Sequence, residues 1–580
     1  MAKIVLIEPQ SRADHVYKSV RMPRLGLPLL GAQLKAAGYS VSFYMGQGAS
    51  LPWAKIIDAD LVGISTTTST SREAYRMAGY LRSLNIPVVL GGIHATYMPD
   101  EAMCYADYVV RGEADRSFLP LVNAILSGAL PGDIPGVSYW QDDVPRHNPC
   151  AEPYQVDLNE LPLPDLTLSE GQKPLRTIPV MTSRGCPFNC TFCSVTPMFG
   201  RRYRFRDPDK ILEELALYRG RSVFFCDDNF TANPARSKQL LRGMISEKIG
   251  LKGWGAQVRV DAARDEELLA LMRQAGANIV YIGLESINPA TLEQYNKQQT
   301  VDDIIYAIQR FHEYGIRVHG MFVFGGDSDT VQTIRDTVDF ALEAGVDSVQ
   351  FLTLTPLPGT PLFAQLEREG RLLTKEWELY DGHHAVFQPA QMTPEQLQEE
   401  TLLAFKRFYS LRNLFKNHAV TGWGTVLYRG LGWWLVRSFE RKNQWYSRQL
   451  KQLQNQDPRP VPLLYRLLKP ASGVALKISL TEVRGTLYLR LRGAVNRIAL
   501  LELNKTLKAL LPRCCFHLVI NAEGLRFDSE QAAQNFPRFL ERLAERVRRL
   551  QVILAAEMNY APKLGRRLKA PRFELLFSKR

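Results

Sequence analysis

Hydrophobic positions in the first 130 residues fall in short unbroken runs separated by amphipathic stretches. The runs Lys3–Pro9, Val41–Met45, Leu61–Ser65, Val88–Gly92 and Tyr108–Arg111 are too short for helices and do not alternate with polar residues. Such runs read as parallel strands covered on both faces. Between them Leu25–Ala37, Ser71–Leu84 and Arg116–Leu126 show helical spacing. The alternation predicts a doubly wound, Rossmann-like α/β domain over residues 1–130, with ligand-facing loops at the strand C-termini. Residues 131–175, rich in Pro, Asp and Gly, read as a linker with one hairpin at most.

A second α/β series follows. Strands are expected at Ile178–Ser183, Ser222–Cys226, Gly255–Val260, Asn278–Gly283, Arg317–Phe324 and Val349–Thr353. Six β–α units without a break predict a partial, TIM-type (β/α)6 barrel over residues 176–390, two units short of a closed barrel. From 391 to 470 the pattern becomes helical, basic and aromatic. Residues 471–580 read as a small α/β domain. Its expected strands are Ala475–Leu480, Thr486–Arg492 and Phe516–Asn521, and its expected helices Ile498–Leu511 and Ser529–Leu550.

Charge sharpens this division. The 580 residues carry a net +13, but residues 401–580 hold 34 Lys and Arg against 11 Asp and Glu, while the first 400 are net acidic. Any anionic partner is therefore sought in the C-terminal third. In 401–470, Trp423, Trp433, Trp434, Trp445, Phe408, Tyr409 and Tyr428 are interleaved with 13 basic residues. The plain reading is a solvated basic face with Trp packed on the barrel. The functional readings are peripheral contact with anionic lipid and, as its rival, RNA stacking, with nucleic acid ranked behind lipid. The N-terminus lacks the apolar run of a signal peptide, and no stretch is apolar enough to span a bilayer. Eight cysteines without an export signal fit a reducing compartment. The expected location is cytoplasmic, with peripheral contact at the inner face of the membrane as the added reading.

The strongest chemical signal is Arg184-Gly-Cys186-Pro-Phe-Asn-Cys190-Thr-Phe-Cys193, just after the first barrel strand. Three thiolates at this spacing can hold three corners of an iron–sulfur cube and leave one iron open. A zinc site or reactive thiols are the alternatives, but structural zinc takes four ligands, and no fourth Cys or His lies within thirty residues. The remaining cysteines, including Cys104, Cys150, Cys226 and the Cys514-Cys515 pair, read as structural.

This triad, with Phe192 before its last Cys, resembles the radical SAM superfamily. The resemblance covers roughly residues 175–390. It implies that Cys186, Cys190 and Cys193 hold a [4Fe-4S] cluster whose open iron binds S-adenosylmethionine (SAM). Cys226-Asp-Asp-Asn229, Gln257-Val-Arg259 and Gly283-Leu-Glu285 end successive strands, so the resemblance assigns Asp228, Arg259 and Glu285 to SAM. Helix capping or structural pairing is the alternative for each.

The first domain resembles the cobalamin-binding domain of one branch of that superfamily, on Asp60-Leu-Val-Gly63-Ile-Ser65-Thr66, Val89-Leu-Gly91-Gly92-Ile-His94 and Tyr108-Val-Val-Arg111-Gly112-Glu113. The resemblance implies that Ser65, Thr66, Gly91 and Gly92 admit the corrinoid's nucleotide tail. The usual Asp-x-His-x-x-Gly motif is missing: Asp14 and His15 are adjacent, and no Gly follows at the required distance. The lower face of the corrinoid is thus expected to lack a His ligand, and His94 reads as a loop residue. The last domain weakly resembles a STAS fold, a partner-binding module.

These resemblances imply a cobalamin-dependent radical SAM enzyme that methylates an unactivated carbon of a hydrophobic small molecule or lipid. They also imply an electron donor such as flavodoxin or ferredoxin. Oxidative cyclisation or ring rearrangement without methyl transfer is the alternative within the family. A non-catalytic corrinoid- or lipid-binding scaffold is the alternative outside it. No residue is assigned to the catalytic step itself.

Overall fold

The structure is a computed structural model. It describes residues 1–10, 22–142, 144–150, 156–169, 174–413 and 423–454, and parts of the region from 464 to 578. Asp14, His15 and the Cys514-Cys515 pair lie outside the described residues. The chain forms two compact units. The first comprises Met1–Ala74, Val89–Pro99 and Tyr108–Lys451, and the second Tyr75–Val88, Asp100–Asp107 and Gln452–Arg580.

The first sheet contains β1 (Lys3–Pro9), β2 (Ser40–Gly46), β3 (Leu61–Ser65), β4 (Val88–Gly91), β5 (Tyr108–Val110), β6 (Val137–Gln141) and β7 (Val144–His147), in the order β2-β1-β3-β4-β5-β6-β7. Ile4 to Ile7 have no exposed surface, as a central parallel strand requires. The described pairings from β1 to β5 are parallel, and β6 and β7 add an antiparallel hairpin at one edge. The stretch expected as linker thus lends two strands to this sheet. Val137 and Tyr139 share one face of β6 and are buried in this sheet's core, which holds the hairpin there.

The second sheet is parallel, with the order β15-β14-β13-β12-β11-β8. Its strands are β8 (Thr177–Val180), β11 (Ser222–Phe225), β12 (Gly253–Val258), β13 (Ala277–Glu285), β14 (Arg317–Phe324) and β15 (Ser348–Thr353). Between β8 and β11, β9 (Ser183–Arg184) and β10 (Arg204–Phe205) pair antiparallel. The connecting helices announce themselves locally. Thr300 and Thr330 each close a capping box at a helix start, and Asn233 and Asn288 accept from backbone N–H groups just ahead of a Pro. Six strands in one open sheet match the partial barrel.

Two helices complete this unit. α1 (Pro394–Phe408) starts at Thr393 in another capping box and lays Phe405 and Phe408 against Phe351 of β15, at 5.4 and 6.2 Å between ring centres. α2 (Trp423–Gln454) is tied down by the buried Arg429, which donates to the carbonyls of Val346, Asp347 and Asn413 at 2.8 to 3.0 Å. Val436, Tyr446 and Leu450 join the barrel core on the same side of α2. Several described residues of the basic aromatic segment are therefore core. Phe408 and Tyr409 are buried, and Trp433 is partly buried against the barrel.

The last sheet runs β16-β17-β18-β19-β20-β21, antiparallel up to β18 and parallel beyond. Its strands are β16 (Leu464–Leu468), β17 (Leu476–Val483), β18 (Thr486–Val495), β19 (His517–Phe527), β20 (Arg549–Ala555) and β21 (Phe573–Ser578). The helix expected over Ser529–Leu550 is shorter, Glu530–Ala544, because Gln551-Val-Ile-Leu554 leaves helical spacing for a β-branched run that β20 uses. The helix expected over Ile498–Leu511 falls partly outside the described residues. Among the described residues this sheet has six strands, and β16, β20 and β21 were not among the three expected.

Candidate active site

The three cysteines lie on the loop after β9, each half-buried. Burial pushes all three thiols up, Cys193 to about 11. Each of the three feels the field of at least one other, or of the charges opposite. Arg259 works against the rise at Cys186 and Cys190, and Lys297 at Cys190. Thiols protonated at neutral pH lose their protons to a metal that takes them as ligands. The two cations offset the negative charge so created. Among the described residues no three His, Cys, Asp or Glu side chains stand at the spacing of one ion's ligands. A cube asks for a wider spread, one thiolate on each of three irons. The donor set fits the cluster.

The loop is fixed at both ends. At its start, Arg184 donates to Glu113 at 3.0 Å and grips both carboxylate oxygens of Asp115 at 2.7 and 3.0 Å. Arg204 of β10 holds the other side of Glu113 at 2.8 and 2.9 Å. All four side chains are at most a tenth exposed. At its end, Thr191 N–H donates to the carbonyl of Tyr295, and Phe192 meets the Tyr295 ring edge-on at 5.0 Å. Gly185, at φ +86°, lets the chain turn toward the first cysteine. A Cβ there would stand 2.9 Å from the Arg202 carbonyl.

The assigned SAM residues gather around this loop. Asp228 follows β11, and burial, with help from Asp227, raises its carboxyl to about 6, while the Gly185 N–H works against that rise. Its neighbour Asp227 is structural, accepting from the backbone N–H groups of Thr182 and Ser183 at 2.7 and 2.8 Å. Arg259, after β12, lies 3.7 Å over the Phe188 ring of the cysteine loop and donates to the Lys297 carbonyl at 2.6 Å. Glu285 ends β13 at a register shift with φ +61°, a conformation that costs a non-glycine residue about 1–3 kcal/mol. Lys297 holds it there at 2.6 Å, with both side chains under a tenth exposed. A Cβ on Gly283 would stand 2.3 Å from the Glu285 carboxylate, so that glycine makes room for the pair.

Lys297, Tyr295 and Phe188 were not flagged by the sequence. Lys297 sits in Asn296-Lys-Gln-Gln299, a polar loop with no periodicity, and only its place opposite a strand-end Glu marks it.

At the C-terminal ends of β3 and β4 a second rim forms. Thr66 is buried and spent within it. Its N–H and its hydroxyl both donate to the Gly91 carbonyl, at 2.7 and 2.9 Å, and its hydroxyl accepts from Ala95 N–H at 3.2 Å. Gly92 has φ +92°, and a Cβ would lie 2.5 Å from the Thr66 carbonyl. Ser65, Gly91 and Gly92 remain half-exposed on the rim. A rim of closely approachable backbone at strand C-termini suits a nucleotide-like tail. Thr66 therefore staples the two loops. His94 is buried, its ring edge-on to Trp377 at 5.1 Å, which ties this rim to the barrel side.

Residues 180–341 match the Radical SAM superfamily and residues 19–122 match the B12 binding domain. An uncharacterized methyltransferase of Pyrococcus horikoshii is 32% identical over 443 residues, 72% of this chain and 95% of the relative. The anaerobic magnesium-protoporphyrin IX monomethyl ester cyclase of Rubrivivax gelatinosus is 29% identical over 433 residues, 70% of this chain and 77% of the relative. The radical S-adenosylmethionine methyltransferase TsrM from Kitasatospora setae shares the fold at 19% identity, with a TM-score of 0.57 over 79% of this chain and all of that one. The comparisons lend no support to a STAS-like C-terminal domain.

Proposed function

The chain belongs to the radical SAM enzymes with a B12-binding domain, whose cofactors are a [4Fe-4S] cluster, SAM and cobalamin, and on that premise we propose that it methylates an unactivated carbon of a hydrophobic small molecule or lipid. When bound, the cluster supplies the electron that splits SAM to a 5′-deoxyadenosyl radical, and cobalamin carries the methyl group.

One observation carries the substrate class. Along β11–β15, Phe224, Tyr281, Met321 and Leu352 are half-exposed, while Val280, Ile282, Phe322 and Phe351 on the opposite face are buried under helices. The open face of the sheet is thus aromatic and aliphatic. Gln257 and Gln350 add two uncharged amides to it, also half-exposed. Such a wall orients an apolar molecule and gives it few fixed hydrogen bonds. His319 belongs to the same wall, and burial lowers its pKa to about 4, so it adds no charge at neutral pH.

The protein's residues have simple tasks in this reading. Cys186, Cys190 and Cys193 hold the cluster, and Phe192 packs behind it. Asp228, Arg259 and the Glu285–Lys297 pair present two signs of charge toward an amino acid moiety, as the amino and carboxylate groups of SAM require. Ser65, Gly91 and Gly92 line the rim for the corrinoid tail. A reductant of the flavodoxin or ferredoxin class supplies the electron. Methyl transfer is placed ahead of cyclisation because the relative covered over 95% of its length is called a methyltransferase.

The test is anaerobic reconstitution, followed by incubation with SAM and a lipid or pigment extract. A product heavier by one methylene supports the reading. A product lighter by two hydrogens replaces it with cyclisation, and failure to form 5′-deoxyadenosine points to a non-catalytic scaffold.

A further inference from the structure

The face of α2 opposite the barrel carries a pattern that catalysis does not use. Leu427, Leu431, Trp434 and Trp445 are 75, 48, 55 and 44% exposed. At 100° per residue they fall within about 60° of one another, on a line about 27 Å long. Arg441, Arg448 and Arg437 border one side of this line, all exposed. Between 423 and 454 the sequence holds one acid, Glu440, and it pairs with Lys406 of α1 at 2.9 Å, away from this line. Arg429, Val436, Asn443 and Tyr446 occupy the opposite, buried face.

We propose that this face of α2 docks the enzyme on an anionic lipid surface, with Leu427, Leu431, Trp434 and Trp445 in the headgroup–acyl boundary and Arg437, Arg441 and Arg448 against lipid phosphates. Charge complementarity selects the occupant: three guanidinium groups and no carboxylate meet a surface that is negative everywhere. The apolar members discriminate further. Arg and Trp would serve a nucleic acid, but leucines three-quarters and half exposed offer nothing to a base or a phosphate. Insertion beside basic groups is what an interfacial helix does. No helix among the described residues is long and apolar enough to cross a membrane, so the contact is peripheral. Anchorage by Arg429 prevents the helix from rolling, which keeps the line outward.

The docking is independent of the chemistry proposed above and is read separately. Full-length reconstituted protein is sedimented with phosphatidylcholine vesicles that do or do not contain phosphatidylglycerol, and SAM cleavage is measured on the same samples. The expected result is salt-sensitive binding to the anionic vesicles only. Arg437→Gln with Arg441→Gln should weaken it about thirtyfold. Leu431→Gln with Trp434→Gln should abolish it, and both variants should retain iron and SAM cleavage. Failure of the unaltered protein to bind anionic vesicles, equal binding by the Leu431/Trp434 variant, or binding of RNA in place of vesicles would each overturn the proposal.

Discussion

Arg184, two residues before Cys186, grips both carboxylate oxygens of Asp115, a residue of the B12-binding domain. The pair is buried and shares Glu113 and Arg204 with a second ion pair. The cysteine loop is thereby set in place by the domain that matches the B12-binding family. Removing one partner of such a pair leaves a buried charge unmatched, at about 3–5 kcal/mol. Asp115→Asn should destabilise the protein by that order and lower iron retention, measured by denaturant unfolding and iron assay. Asp115→Glu should recover part of both. Wild-type iron retention in the Asn variant would show that the pair does not position the loop.

In the proposed cluster each of the three thiolates holds one iron, so a missing corner would leave the cube open to loss. Cys186→Ala, Cys190→Ala and Cys193→Ala should each abolish iron loading and SAM cleavage. Cys104→Ala should keep both, since that thiol lies outside the cysteine loop, where it donates to the Asp100 carbonyl. Full iron content in the Cys190 variant would sink the cluster assignment.

Gly92 cannot accept a side chain where it stands. Gly92→Ala must bring a Cβ against the Thr66 carbonyl and hold alanine at positive φ, which alone costs about 1–2 kcal/mol. Cobalamin retention after desalting should fall sharply, with iron content unchanged. His94, buried against Trp377, is not expected on the lower face of the corrinoid. The Co(II) EPR spectrum should therefore lack imidazole nitrogen splitting, and a splitting that disappears in His94→Gln would refute this.

His384 is placed to be charged. Its Nδ1 lies 2.9 Å from Asp381, and its Nε2 3.1 Å from Asn443 Oδ1, an oxygen identified because Asn443 Nδ2 donates to the Phe439 carbonyl. Burial works against the charge, but Asp381 outweighs it and holds the imidazole above its usual pKa; Asp381 is in turn held below the usual carboxylate range. A raised His contributes stability that is complete below its unfolded value of about 6.5 and fades as pH rises through the folded value. A lowered Asp contributes above about 3.9 and fades as pH falls. The thermal midpoint should be highest between these limits and decline above pH 6.5. His384→Gln should lower the midpoint near pH 6 and flatten the alkaline decline. An unchanged slope in that variant would remove His384 as the cause.

Much of this was legible in the sequence, for identifiable reasons. Buried parallel strands announce themselves as unbroken apolar runs, and Cys186, Cys190 and Cys193 sit in one loop where spacing alone defines a ligand set. What escaped was long-range. Lys297 matters because a strand end twelve residues earlier places Glu285 opposite it. Thr66 looked like a ligand contact, yet its hydroxyl is used within the loops. In α2 the sequence gives basic and aromatic content but not orientation, and Arg429, one of its cations, lies in the core. β20 was hidden because the arginine-rich run before it reads as helix.

The placement of α2 also has a consequence for biosynthesis. Asn443, Tyr446 and Arg429 complete groups made much earlier: His384, the carbonyl of Ala385 and the carbonyls of Val346 and Asp347. At about 5–20 residues per second, the sixty-odd codons from Ala385 to Tyr446 take about 3–12 s to translate. During that interval the nascent barrel has all its strands but an uncovered flank with a buried-type His, Asp and three carbonyls still open to water. A ribosome stalled before residue 446 would release a chain of this kind, a natural client for chaperones and a poor recipient for an oxygen-sensitive cluster. Iron delivery is therefore best timed after α2 has closed over the barrel.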